Sequence, residues 1–151
     1  MPNTRKANKR DSRDIFDWRN DELTRQMSHT TDLVEWEKHS TWFAASLANP
    51  QRLLVMCEDE STNEKVAIVC FDVEDERALI SINLSPQIRG KRKAKKCLSD
   101  AIFLFQQYFS DVRFIDAEIK TINIPSQKSF MGVGFVHVKE DADVLYYEYA
   151  V

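Results

Sequence analysis

The sequence predicts an α/β domain built on a mixed sheet, and three observations carry that expectation. Two apolar runs joined by a short polar turn read as a hairpin. A helically spaced apolar pattern lies between two strand-like runs, which demands a crossover and a locally parallel strand pair. Two helical segments precede this block and two further strands follow it.

Residues 1–10 either are mobile or supply a short edge strand at TRKA. Residues 11–27 (DSRDIFDWRNDELTRQM) and 30–48 (TTDLVEWEKHSTWFAASLA) read as two helical segments covering one side of the sheet. RLLVMCEDE (52–60) and EKVAIVCFDVED (64–75) are strands joined through STNE, a run of turn formers. RALISINLS (77–85) is a third strand that Pro86 ends. From Ala94 onward Leu98, Ala101, Ile102, Phe105 and Phe109 keep helical spacing. RFIDAEIK (113–120) is a strand, a short helix starts near Pro125, and 135–138 and 144–151 are terminal strands. With no internal repeat or linker, residues 1–151 are expected to form one domain.

The chain is 43% hydrophobic and 30% charged, with a net charge of −3. Its basic run, KRKAKK (91–96), therefore sits in a mildly acidic protein without interleaved aromatics, which favours a local anion site over nucleic acid. Three cysteines without CxxC spacing, Cys57, Cys70 and Cys97, read as buried thiols in a reducing compartment. With neither an apolar run long enough to span a membrane nor a secretory pattern at the N-terminus, the expected location is cytoplasmic. No zinc, Ser/His/Asp or P-loop constellation is visible, and His29 and His137 read as surface or strand residues.

The only glycines, Gly90, Gly132 and Gly134, fall in two loops, one opening the long helix and one closing the short one. Strand, Pro86, Arg89-Gly90, basic residues and helix in that order aim free backbone N–H groups at an anion. Basic residues at a helix N-terminus oppose the macrodipole unless an anion arrives. The alternative is a plain solvated helix start.

These residues carry a family resemblance. INLSPQIRGKRKAKKCLSDAI resembles the acetyl-CoA-binding motif of the GCN5-related N-acetyltransferase (GNAT) superfamily, with Arg89 and Ala94 at its ends and Arg92 where a glycine is expected. AEIKTINIPSQKSFMGVGF resembles the superfamily's second motif through Asn123, Ser126 and Gly134-Phe135. WRN (18–20) and HSTWF (39–43) resemble the branch holding ribosomal-protein N-terminal acetyltransferases and the UDP-4-amino-sugar N-acetyltransferases of pseudaminic acid pathways.

The resemblance implies a mostly antiparallel twisted sheet with one splayed parallel pair, flanked by helices. It implies acetyl-CoA as cosubstrate, its pyrophosphate held by backbone N–H groups from Arg89 through Gly90, Lys91, Arg92 and Lys93 to Ala94. Lys91, Arg92 and Lys93 would reach phosphates; the Arg92 Cβ would crowd the pyrophosphate unless its φ is negative. Ile82, Asn83 and Leu84 would pair with the pantetheine like an added strand. Asn123, Ser126 and Phe130 would flank the coenzyme, Phe130 replacing the superfamily's usual acid tyrosine. Glu118 would be the general base, with Tyr146 and Tyr147 as substitute acids. Arg19, His39 and Trp42 are candidate acceptor contacts, their other reading being helix packing. The implied partner is a small primary amine, first a nucleotide-linked 4-amino-dideoxy sugar, with no nucleic acid and no membrane; a homodimer is a further expectation. Acetylation of protein N-termini or aminoglycosides, and a non-catalytic acetyl-CoA sensor, are the alternatives.

Overall fold

The computed structural model describes residues 3–89 and 92–151. Seven strands form one sheet: β1 (Thr4–Lys6), β2 (Arg52–Glu58), β3 (Lys65–Glu74), β4 (Arg77–Leu84), β5 (Phe114–Lys120), β6 (Val136–Asp141) and β7 (Val144–Ala150). Their order is β1-β2-β3-β4-β5-β7-β6, and every neighbouring pair is antiparallel except β4 and β5. The helices are α1 (Ser12–Arg19), α2 (Glu22–Met27), α3 (Trp36–Ala48), α4 (Ala94–Tyr108) and α5 (Ile124–Gly132). The expected mixed sheet, hairpin and crossover are all present, and TRKA does supply an edge strand. No helix among the described residues is long and apolar enough to cross a membrane.

β2 and β3 are buried along most of their length because helices cover both faces of the sheet there. On one face Val55, Val69, Phe71, Ile80 and Ile115 meet Leu98, Ala101, Ile102 and Phe105 of α4, with the Phe71 and Phe105 rings stacked 4.2 Å apart. On the other, Leu54, Met56 and Ile68 meet Ile15, Trp18 and Phe43 of α1 and α3. Alternation along each strand sends successive side chains to these two cores. Cys57 and Cys97 lie within the first core; Cys70 is half-buried.

The N-terminal helices depart from the expected pair. The segment 11–27 breaks at Asn20, because the Asp21 side chain accepts the Thr24 N–H at 3.1 Å and caps a new helix. The segment 30–48 becomes helical only at Trp36. Before it, Val34 is held by both ends of the Asn20 amide: its N–H donates to Asn20 Oδ1 at 2.7 Å and its carbonyl accepts from Nδ2 at 2.9 Å. A side chain that satisfies both backbone groups of one residue competes with helix there.

Candidate functional site

The parallel ladder between β4 and β5 runs from Arg77–Phe114 to Ile80–Ala117 and stops. Beyond it β4 stays paired with β3 as far as Leu84, and β5 stays paired with β7 as far as Lys120. The sheet therefore opens into a slot, with Ile82, Asn83 and Leu84 half-buried on one wall and without a strand partner on that side.

At the end of β4 the chain makes a 3-10 turn over Pro86–Ile88, anchored by the buried Ile88, and then enters α4. No side chain among the described residues caps α4, so its first-turn N–H groups are available to an outside acceptor. Arg92 has φ +58°, in the left-handed region, so a glycine-type backbone is retained with an arginine in place. The negative φ that would have eased crowding by its Cβ is not adopted. The cationic side chains are largely engaged: Arg89 donates to Asp21 and to Thr24 Oγ1 (2.9 Å), Lys93 pairs with Asp59 at 2.9 Å, and Lys96 with Glu60 and Asp100. The Ser61 hydroxyl and Lys93 hold the Asp59 carboxyl well below its usual range. Gly90 and Lys91, expected in this loop, lie outside the described residues.

Asn123 caps α5, its Oδ1 accepting the Ser126 N–H at 3.2 Å, which leaves its Nδ2 to donate elsewhere. Gly134, at φ +113°, closes the helix so that the Phe135 N–H reaches the Phe130 carbonyl at 3.0 Å. A Cβ on Gly132 would sit 3.3 Å from the Lys95 side chain, so the start of α4 and the end of α5 approach closely. Phe130, expected beside the coenzyme, is instead 2% exposed and packs edge-on against Phe135. An all-carbon ring without a polar partner belongs in the core, and it turns there.

Glu118 lies at the opposite end of the slot, on the sheet face covered by α1 and α3 where cover exists. His29 Nε2 lies 3.3 Å from its Oε1, and Tyr146 is its cross-strand neighbour on β7. Tyr147, one residue on, faces the core at 3% exposure, and burial pushes its hydroxyl up. Of the two tyrosines only Tyr146 shares the Glu118 face. His29 was not singled out by the sequence, since a lone histidine in a polar stretch has no pattern. It is set beside β5 by the α2–α3 loop, which the Asn20–Val34 clasp and a Lys120 Nζ bond to the Gln26 carbonyl (3.0 Å) hold in place.

The three acceptor candidates separate. Arg19 and Trp42 line a groove of about 290 Å³ with Cys70, Leu79, Ser81 and Asn83, its floor being the Glu118 face of β3 and β4. The Arg19 guanidinium lies over the Trp42 ring, 4.5 Å from its centroid. His39, by contrast, is fully buried: Nε2 donates to the Ser12 carbonyl at 3.0 Å and Nδ1 accepts from Arg19 at 3.1 Å. Burial, and then the Arg19 charge, hold its imidazolium below the usual range. It positions Arg19 and touches no open surface.

The strand order, the single parallel pair that splays, and the helices on both faces define the acetyltransferase fold of the GNAT superfamily. Solved structures share it. Spermidine N-acetyltransferase from Vibrio cholerae, crystallised with CoA and spermine, matches 97% of this chain and 94% of its own with a TM-score of 0.83 and 15% identity. Ribosomal-protein-alanine N-acetyltransferase from Brucella melitensis matches 98% and 99% (TM-score 0.81, 16% identity), and an N-acetyltransferase from Staphylococcus aureus Mu50 matches 97% and 96% (0.77, 20%). No protein-family model matches the chain, and no curated protein matches its sequence.

Proposed function

We propose that the chain is an acetyl-CoA-dependent N-acetyltransferase acting on a small primary amine. The observation that carries this is the slot itself: β4 loses its β5 partner where an uncapped helix opens at one end and a carboxylate stands at the other. The coenzyme fits the residues present. The first-turn N–H groups of α4 and the left-handed Arg92 suit a pyrophosphate, and the unpaired edge of Ile82–Leu84 suits an extended amide chain. Asn123, whose Nδ2 is not used in capping α5, and Ser126 would flank the coenzyme beyond the end of β5. Lys93 reaches a phosphate only by exchanging Asp59 for it.

When bound, acetyl-CoA supplies an activated acyl group as a thioester. The chain's own task is to deliver the amine neutral. Glu118 accepts a proton from the incoming ammonium, directly or through water, and His29 beside it passes the charge to solvent. Tyr146 is the hydroxyl on that face for the departing thiolate. A nucleotide-linked 4-amino-dideoxy sugar remains the first acceptor to assay, now through Arg19 and Trp42 without His39.

Calorimetry with acetyl-CoA and a thiol-release assay over an amine panel test the proposal. Glu118→Gln is expected to lower kcat by about 10²-fold or more with little change in coenzyme affinity. Absence of coenzyme binding defeats the proposal; binding without turnover on any amine points to a sensor.

A further inference from the structure

Most acidic side chains on the Glu118 face have a basic partner, and Lys120 there donates to the Gln26 carbonyl. Asp72 is paired with Arg52 at 3.2 Å, and Asp116 and Glu148 are both bound by Arg77. Glu118 has His29. Of the charged residues that line the groove, Arg19, Arg52 and Asp72, Arg19 alone has no carboxylate: its contacts are the neutral His39 Nδ1 and the Trp42 ring. Burial holds its guanidinium below the usual range, and no acidic side chain offsets this. A half-buried guanidinium has five N–H donors, and His39 accepts one. Leaving such a cation desolvated and without a counter-charge is unfavourable unless an anion enters with a ligand.

The groove also points at the slot. Leu79 is in register with Asp116, so Ser81, two residues on, stands across the split from Glu118 on the same face. Ser81 and Asn83 line the groove with Arg19. Ser81 and Glu118 thus face each other across the split, one strand spacing or slightly more apart, roughly 5 Å, and the groove that Ser81 lines leads from there to Arg19.

We infer that the groove under α1 and α3 is an anion-recognising acceptor subsite, in which Arg19, stacked on Trp42 and fixed by His39, binds a phosphate or carboxylate of an amine whose nitrogen reaches Glu118. This rests on the acetyl-transfer reading and narrows its acceptor by charge: amines that also carry an anion are favoured, and polyamines are disfavoured because their second cation meets Arg19. The shared chemistry is an oxyanion bonded by a guanidinium fork.

Two arms test it. In the first, ω-aminoalkyl phosphates, ω-amino acids, the corresponding amino alcohols and spermidine are compared by kcat/KM. Anionic amines are expected to lead their neutral counterparts by about tenfold or more, with spermidine last, and Arg19→Gln should erase the lead. The phosphate and carboxylate series distinguish the two oxyanions. In the second, inorganic pyrophosphate is titrated at saturating CoA while tryptophan fluorescence is followed. Binding to the wild type should weaken about tenfold or more in Arg19→Gln and equally in Ser81→Asp, which sets a carboxylate beside Arg19 at an exposed position and leaves the buried contacts alone; Arg19→Lys should retain part of it. Preference for neutral or dicationic amines, or an anion response indifferent to both variants, overturns the inference. An Arg19-dependent anion response without turnover of any amine upholds the subsite and defeats acetyl transfer instead.

Discussion

Asp11 and Arg19 bracket α1, one as its N-cap and the other as its last residue, and they carry their charges in opposite ways. Asp11 is fully buried, yet both its oxygens are met: Arg5 donates to each at 2.8 and 2.9 Å, Lys65 approaches at 2.8 Å, and the Asn8 N–H donates at 2.8 Å. Burial alone would raise this carboxyl; Arg5, Lys65 and Asn8 outweigh it and hold it at about 2. Arg19 faces the groove with only neutral groups, His39 Nδ1 and the Trp42 ring, in direct contact, the Asp72 of that groove being taken by Arg52. A buried charge whose partners are all supplied by the chain ties β1, β3 and α1 together. One left without them is a structural cost, which the proposed anionic acceptor would offset.

Substitutions can break that contrast. The largest effect is expected for Asp11→Ala, which removes the buried carboxylate shared by Arg5 and Lys65, leaves them only Glu58 and Asp14, and should lower unfolding free energy by about 3 kcal/mol in a urea titration. Acid tests the same residue more gently. Because its folded value is depressed, its contribution is complete above the unfolded carboxylate value near 3.8 and is lost as pH falls through about 2, a change of about 2 kcal/mol. His39 also titrates low, so a separate, earlier loss of stability should begin as pH drops below its unfolded value of about 6.5. Midpoints of thermal melts at stepped pH resolve the two stages; a single stage below pH 4 would remove His39 from the account.

Arg19→Met sharpens the comparison from the other side. Removing an uncompensated cation while keeping its length should leave stability within about 1 kcal/mol of wild type, although His39 Nδ1 loses its donor. A loss as large as that of Asp11→Ala would show that Arg19 is structural after all. The smallest change is expected for Arg92→Gly: relief of the left-handed backbone, worth about 1 kcal/mol, is nearly matched by the added chain entropy of glycine, so the denaturation midpoint should barely move.

Apolar runs, alternation and helical spacing located β2 to β7 and the long helix, because those patterns are local, whereas β1 was only one of two alternatives for residues 1–10. The break at Asn20 escaped notice: nothing local says that its amide will hold Val34 across a loop. The loop motif marked where α4 begins and that Arg92 stands at a glycine position, though the left-handed φ itself came only with the structure. It did not reveal that Arg89 would turn to Asp21 or Lys93 to Asp59, since each partner is distant in the chain. Likewise HSTWF brought His39 and Trp42 to attention together, and only packing sent one inside and left the other over Arg19.

What the residues determined alone, then, is the succession of elements from β2 onward, the crossover that makes one strand pair parallel, and the bend between β4 and α4. Which charges are neutralised, which histidine meets Glu118 and which arginine is left facing a groove were decided by the tertiary structure. Short-range periodicity sets how a segment folds, whereas charge compensation depends on what the completed fold brings within a few ångströms.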